Sequence, residues 1–287
     1  MGKPVKRARA AAEARRGVGS VVQHLVLVGI GMLFLLPLLW MVSSSLKGNE
    51  QLFVADPTWI PRPIRWDNYP HALTFIPFFT YLKNTLLICA FGVVGSLISC
   101  SLVAYGFSRI EWPGRDALFL VLLATMMLPA QVTMIPSFLM FRWLGWYGSF
   151  KPLIVPSFLG SAFLIFLLRQ FFLTIPKELS EAARIDGASE FTTFARVILP
   201  LARPALATVA LFQFLHHWND FLGPLLYLKD QNNYTLALGL QQFLNAYRSE
   251  WGLLMAASTV VTLPIIVLFF FTQRTFIQGI AMSGSKG

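Results

Sequence analysis

Six apolar runs, each about long enough to span a bilayer, constrain this chain more than any other feature. They are Leu25 to Ser45, Leu86 to Phe107, Ala117 to Phe141, Pro152 to Leu168, Pro204 to Leu228 and Gly252 to Gln273. A helix needs about 20 predominantly apolar residues to cross the hydrocarbon core. Asp220, in the fifth run, is the only charged residue in any of them. The chain is 13% charged, against about 25% in an average soluble domain. It has too few polar groups to cover a water-facing surface, so lipid is its solvent. A membrane β-barrel would show short alternating segments instead. The expected fold is an all-α membrane protein with six transmembrane helices.

The charge pattern orients that bundle. The net charge is +10, and the basic residues collect between the apolar runs rather than along one stripe. That distribution fits membrane topology and excludes nucleic-acid binding as the role of the charge. With the N-terminus inside, Lys3, Lys6, Arg7, Arg9, Arg15 and Arg16 lie on the inner side. Arg109 and Arg115 fall on that side too, as do the basic residues between runs four and five. Both termini are then cytoplasmic. The first run is longer than the 7–15 residues of a typical signal-peptide core, so it is read as a retained helix.

The organisation follows. A basic cytoplasmic tail covers 1–20 and the first transmembrane helix 21–46. An external segment rich in Pro and aromatics covers 47–81, including Trp59, Trp66, Tyr69 and Pro77. It reads either as an interfacial aromatic belt or as a ledge for a partner. A core with five transmembrane helices covers 82–274, and a C-terminal tail 275–287. No internal repeat is visible, which argues against many secondary-transporter folds.

Within the core, a polar loop at 172–203 interrupts the apolar pattern. Pro176 suits the first position of a helix, with Glu178 in its favourable first turn. Gly187 suits a left-handed stop, and Ser189 an N-cap. Phe191, Phe194, Ala195 and Ile198 then recur with the spacing of one helical face. Ala182 and Ala183 leave the first helix thin enough for another surface to approach its backbone. The loop thus reads as a rigid helix pair that docks a partner, or as a surface helix lying on lipid. Glu181 can pair with Arg184 at i+3.

Other candidate chemistry is sparse. No Gly-x-x-x-x-Gly-Lys-Ser/Thr phosphate loop occurs, so ATP hydrolysis cannot be placed in this chain and no catalytic residue is expected. Asp220 and its neighbour Asn219 are candidates for the translocation path or an outer gate, because an intramembrane carboxylate is a functional candidate by default. Asp220 lies roughly 24 Å along its helix, near an interface, so an interfacial structural role stays open. His216 and His217 point to different faces of a helix, and His24 and His71 have no ligand set nearby. No metal site is expected. Cys89 and Cys100 read as small packing residues.

Spacing also carries a resemblance. Glu181-Ala182-Ala183, three residues, Gly187, nine residues, then Val197-Ile198-Leu199-Pro200 resembles the E-A-A loop of bacterial ATP-binding-cassette import permeases. Val197 stands where that pattern has Ile, and Asp186-Gly187-Ala188 matches it. Asn84-Thr85, Ala104-Tyr105 with Arg109, Leu128-Pro129, Arg169-Gln170-Phe171 and Trp218-Asn219-Asp220-Phe221 resemble the carbohydrate branch. The end from Gln273-Arg274 through Gly279 to Lys286-Gly287 is similar to the maltose-type second permease subunit.

The resemblance implies a type I importer permease fold in a bacterial or archaeal cytoplasmic membrane, crossed several times. It implies ATPase coupling through Glu181, Ala182, Ala183, Asp186, Gly187, Leu199 and Pro200, and a tail reaching toward the ATPases through Gly279, Lys286 and Gly287. The implied partners are a second homologous permease subunit, two copies of an ATP-binding subunit, an extracytoplasmic solute-binding protein and the lipid membrane. ATP and Mg are used by the partner ATPase, and this chain binds no cofactor. The expected function is therefore import of sugars or related solutes. The alternative is an ion-coupled secondary transporter.

Overall fold

The computed structural model describes residues 3–54, 56–244 and 249–284, with side chains at Ser20 and through 23–54, 56–244 and 249–273. In chain order the helices are α1 (Lys3–Ser45), α2 (Asn68–Phe75), α3 (Phe78–Ser108), α4 (Arg115–Thr125), α5 (Ala130–Trp143), α6 (Lys151–Ile154) and α7 (Ala162–Thr174). There follow α8 (Glu178–Ile185), α9 (Glu190–Thr193), α10 (Leu199–Leu201), α11 (Arg203–Trp218), α12 (Leu222–Tyr227), α13 (Leu236–Leu240) and α14 (Trp251–Gly284). A π-helical turn, Phe194–Ile198, joins α9 to α10. Among the described residues there is no strand, only an isolated bridge between Leu244 and Ser249.

Four stretches are long and apolar enough to cross a membrane: Gln23–Ser45, Phe78–Ser108, Lys151–Thr174 and Trp251–Gln273. The other two expected spans are not single straight helices. The third run is not one helix. α4 and α5 meet at 95° across Met126–Pro129. Pro129 is extended (φ −61°, ψ 138°), and proline disfavours helix in the residue before it. The fifth run is also divided. Its first part is α11, with Pro204 in the first turn; the stretch Glu190–Leu201, ahead of the run, meets α11 at 80°. α11 stops at Trp218, so Asn219 to Leu228 is not its continuation.

Two boundaries differ from expectation. Helix α1 runs back through the basic tail to Lys3, where Ala, Arg and Lys are strong helix formers. Helix α14 continues through Gly279 to Gly284. Lys286 and Gly287 lie outside the described residues.

The chain divides into two compact units: residues 1–72 with 250–259, and 73–249 with 260–287. In the first, the Pro- and aromatic-rich segment folds back on the end of α1. The Asn68 amide donates to the carbonyls of Ser45 (2.8 Å) and Lys47 (2.9 Å). The buried Lys47 donates to the Thr58 carbonyl and stands 4.1 Å over the Trp40 ring, which meets Trp59 edge-on. Burial lowers the Lys47 pKa; the carbonyl and the ring face compensate the buried cation.

The second unit is built around α3. Its 31 residues span roughly 46 Å, more than the hydrocarbon core, and α7 and α11 pack along it. Cys100, Ala104, Tyr105, Leu168, Phe172, Ile198 and Val209 share its main apolar core. Cys89 and Cys100 are free thiols, both buried. Small residues permit close approach: a Cβ on Gly92 would lie 2.1 Å from His217 Nε2. His217 is buried, with Nε2 3.0 Å from Gln213 Nε2 and 3.3 Å from Ser157 Oγ, whereas His216 is exposed. Among the described residues no group of His, Cys, Asp and Glu could hold a metal ion.

Candidate functional site: the loop between α7 and α11

The loop opens on α8, which begins two residues after Pro176. Its first bonds run from the N–H groups of Ser180 and Glu181 to the Lys177 carbonyl, so Pro176 precedes the helix rather than beginning it. Glu178, Glu181, Ala182 and Ile185 are all exposed, and their i, i+3, i+4, i+7 spacing makes them one helix face. Ile185 is 87% exposed. Ser180 is buried on the opposite side, and Ala183 is half-buried.

Gly187 ends α8 in a left-handed conformation, φ +82°. The Ala188 N–H bonds to the Ala183 carbonyl at 2.9 Å and the Gly187 N–H to the Arg184 carbonyl at 3.0 Å. That pair of bonds is a Schellman stop, which satisfies carbonyls the helix end leaves open. A Cβ on Gly187 would meet nothing within 4 Å. Glycine is therefore required by backbone conformation and not by crowding.

Ser189 then caps α9, its Oγ accepting the Thr192 N–H at 3.2 Å. The π turn follows. Pro200 has no N–H, and its ring would crowd the Arg196 carbonyl in a regular helix; the wider ladder, with the Leu199 N–H on the Phe194 carbonyl, accommodates it. Phe194 and Ile198 are buried in the core beside Tyr105, whose ring lies 5.1 Å from that of Phe194. Leu199 is half-buried and Pro200 exposed.

The ion pair in the loop is not the expected one. Arg184 Nη2 lies 2.7 Å from Glu190 Oε1, and among the described residues Glu181 makes no ion pair. The glycine turn folds the chain back, bringing Glu190 at the start of α9 within reach of Arg184. Glu181 is left on the exposed face.

Three further residues hold the loop and were not singled out from sequence for this role. The Tyr105 hydroxyl donates to Glu190 Oε2 at 2.7 Å. That bond, then the Arg184 guanidinium, holds the Glu190 carboxyl below the usual carboxylate range. Arg109, just past the end of α3, donates to the carbonyls of Phe172, Ile175 and Pro176. A guanidinium there satisfies open helix-end carbonyls and complements the negative end of the α7 dipole. The available signal was spacing: Tyr105 and Arg109 stand four apart, on one side of a helix end.

Asn219 and Asp220 lie away from this loop, beyond the other end of α11. The Asn219 amide donates to the Leu215 carbonyl at 2.9 Å, and Asp220 Oδ1 accepts the Gly223 N–H at 3.0 Å. Both serve the turn that ends α11 and starts α12.

Residues 95–282 match the family model described as "Binding-protein-dependent transport system inner membrane component". The chain belongs to this family. The permease is 33% identical over 279 residues to the arabinooligosaccharides transport system permease protein AraQ of Halalkalibacterium halodurans, covering 95% of this chain and 100% of that one. It is 32% identical over 285 residues to the maltose/maltodextrin transport system permease protein MalG of Escherichia coli, covering 93% and 95%. In structure it resembles a chain of a bacterial ABC transporter involved in the import of the acidic polysaccharide alginate. There the TM-score is 0.78 and the identity 27%, covering 90% of this chain and 96% of that one. The permease is accordingly a transport component of an ABC system rather than an enzyme.

Proposed function

We propose that this permease is the membrane subunit of an ATP-driven, binding-protein-dependent importer of sugars or related solutes, in a bacterial or archaeal cytoplasmic membrane. Both termini and the loop 172–203 are cytoplasmic. A partner ATPase docks on the exposed face of α8, around Glu181, Ala182, Asp186 and Gly187, with Ala183, Leu199 and Pro200 shaping the knob behind it. The observation that carries this reading is the combination of an exposed helix face with a rigid base. A loop anchored by Phe194, Ile198 and Glu190 can transmit force that a flexible loop would dissipate.

ATP and Mg belong to the ATPase subunits, of which two copies serve this chain and a second homologous permease. An external binding protein delivers the solute. Closure of the ATPases presses on the loop and reorients the helices, opening the passage alternately to each side. Asn219 and Asp220 are assigned to the translocation path or outer gate, and Gly279, Lys286 and Gly287 to contact with the ATPases. Support for a sugar comes from the relatives named for arabinooligosaccharides and maltodextrin. The ion-coupled alternative needs charged or polar sites near mid-membrane, and Asp220 lies beyond the end of α11.

Affinity purification of the tagged chain from native membranes tests this. An ATPase subunit and a second permease are expected to copurify, and Glu181→Ala or Gly187→Ala to reduce recovery of the ATPase. Recovery of the chain alone would refute the reading.

A further inference from the structure

Both stems of the loop are fastened to the C-terminal end of one helix, α3. Upstream, the Phe172, Ile175 and Pro176 carbonyls accept from Arg109. Downstream, Glu190 accepts from Tyr105 at 2.7 Å. Between the stems, Arg184 on α8 closes the circuit onto Glu190 at 2.7 Å. Tyr105 and Arg109 are one turn apart on α3, so both fastenings emerge from one side of that helix end.

These contacts differ in kind from the rest of the packing. Phe194 and Ile198 are held in the core by apolar contact, which is non-directional. Charge-assisted hydrogen bonds fix direction as well as distance. Tyr105 is only 4% exposed, so water competes poorly for its hydroxyl. A displacement of the knob is thereby handed to α3 at a defined point, and α3 is the helix along which α7 and α11 pack.

We propose that Tyr105 and Arg109 are positioning residues that clamp both stems of the loop to the end of α3, so that loop and α3 move as one body when the ATPases close. The proposal rests on the docking function given above and adds the route by which motion leaves the loop.

The test uses the complex purified from native membranes, with Cys89→Ala and Cys100→Ala, and spin labels at Ile98→Cys on α3 and Arg196→Cys on the loop. Both labelled positions are exposed. The inter-label distance is measured without nucleotide and with MgATP and vanadate. With Tyr105 and Arg109 intact, the distance is expected to hold. Tyr105→Phe, which removes a single hydroxyl, and Arg109→Met are each expected to let it shift and broaden on adding nucleotide. Glu190→Ala, which removes the acceptor of both Tyr105 and Arg184, is expected to loosen the distance at least as much as Tyr105→Phe, and Tyr105→Phe to add nothing once Glu190 is gone. Arg109→Lys is expected to restore part of the loss. Should Arg109→Met fail to fold, the Tyr105 and Glu190 variants decide alone. A nucleotide-dependent shift in the parent, or no shift in any variant with the ATPase still bound, overturns the clamp. Failure of the ATPase to copurify with the parent refutes the docking reading instead, so the two failures are distinct.

Discussion

Phe191 and Phe194 lie one helical turn apart in the same short stretch, yet Phe191 is 70% exposed and Phe194 is 5% exposed. Ile185 and Ile198 repeat the contrast, 87% against 0%. The loop therefore has an inner half that belongs to the core and an outer half that its own chain leaves uncovered. Identical apolar residues serve anchoring in one place and, in the proposed function, docking in the other. Apolar periodicity alone merges these roles, because it records a face without saying what covers it.

The sharpest way to break this contrast is to truncate both rings. Phe194→Ala is expected to cost about 3–5 kcal/mol of stability, as for other buried aromatics, and to lower the melting temperature in detergent. Phe191→Ala is expected to change stability by less than about 0.5 kcal/mol while weakening capture of the ATPase. Equal melting shifts for the two would erase the distinction between inner and outer halves.

Gly187→Ala comes next. With open space where its Cβ would stand, the expected cost is that of the left-handed conformation alone, about 1–2 kcal/mol. Loosening should be local: faster amide exchange at Gly187 and Ala188, whose N–H groups make the stop. Ser189→Ala removes the cap of α9 and is expected to cost about 1 kcal/mol, measured in the same melting assay.

The smallest effect concerns pH. The Glu190 carboxyl has a lowered pKa in the folded chain, against about 4.3 for an unperturbed Glu. Its contribution is present above the unfolded value and is lost as pH falls through the folded one. Acidification from neutral pH through the carboxylate range should therefore loosen the loop, and Glu190→Gln should flatten that part of the melting profile. An unchanged profile in the variant would show that the Arg184 and Tyr105 contacts add nothing to stability.

Much of the loop was legible before any coordinates. Gly187 as a left-handed stop, Ser189 as a cap and Pro204 in the first turn of the next helix all follow from local backbone chemistry. Each depends on residues only a few positions apart, which is the range over which sequence speaks directly. The pairing of Arg184 with Glu190 instead of Glu181 was not legible, because it depends on where the glycine turn sends the chain. The bend at Pro129 had a visible cause, but an apolar run reads the same whether its helix goes straight or turns by 95°.

Sequence by itself determined the solvent and the class of this protein. Long uncharged runs leave helices in lipid as the available fold, and a motif of fixed spacing carries the resemblance to import permeases. Tertiary structure alone decided which side of that loop is covered and what holds it. Tyr105 meets Glu190 across 85 residues and Arg109 meets Phe172 across 63, separations at which local propensity carries no information. A contact of that kind exists only once the core has brought the two ends together.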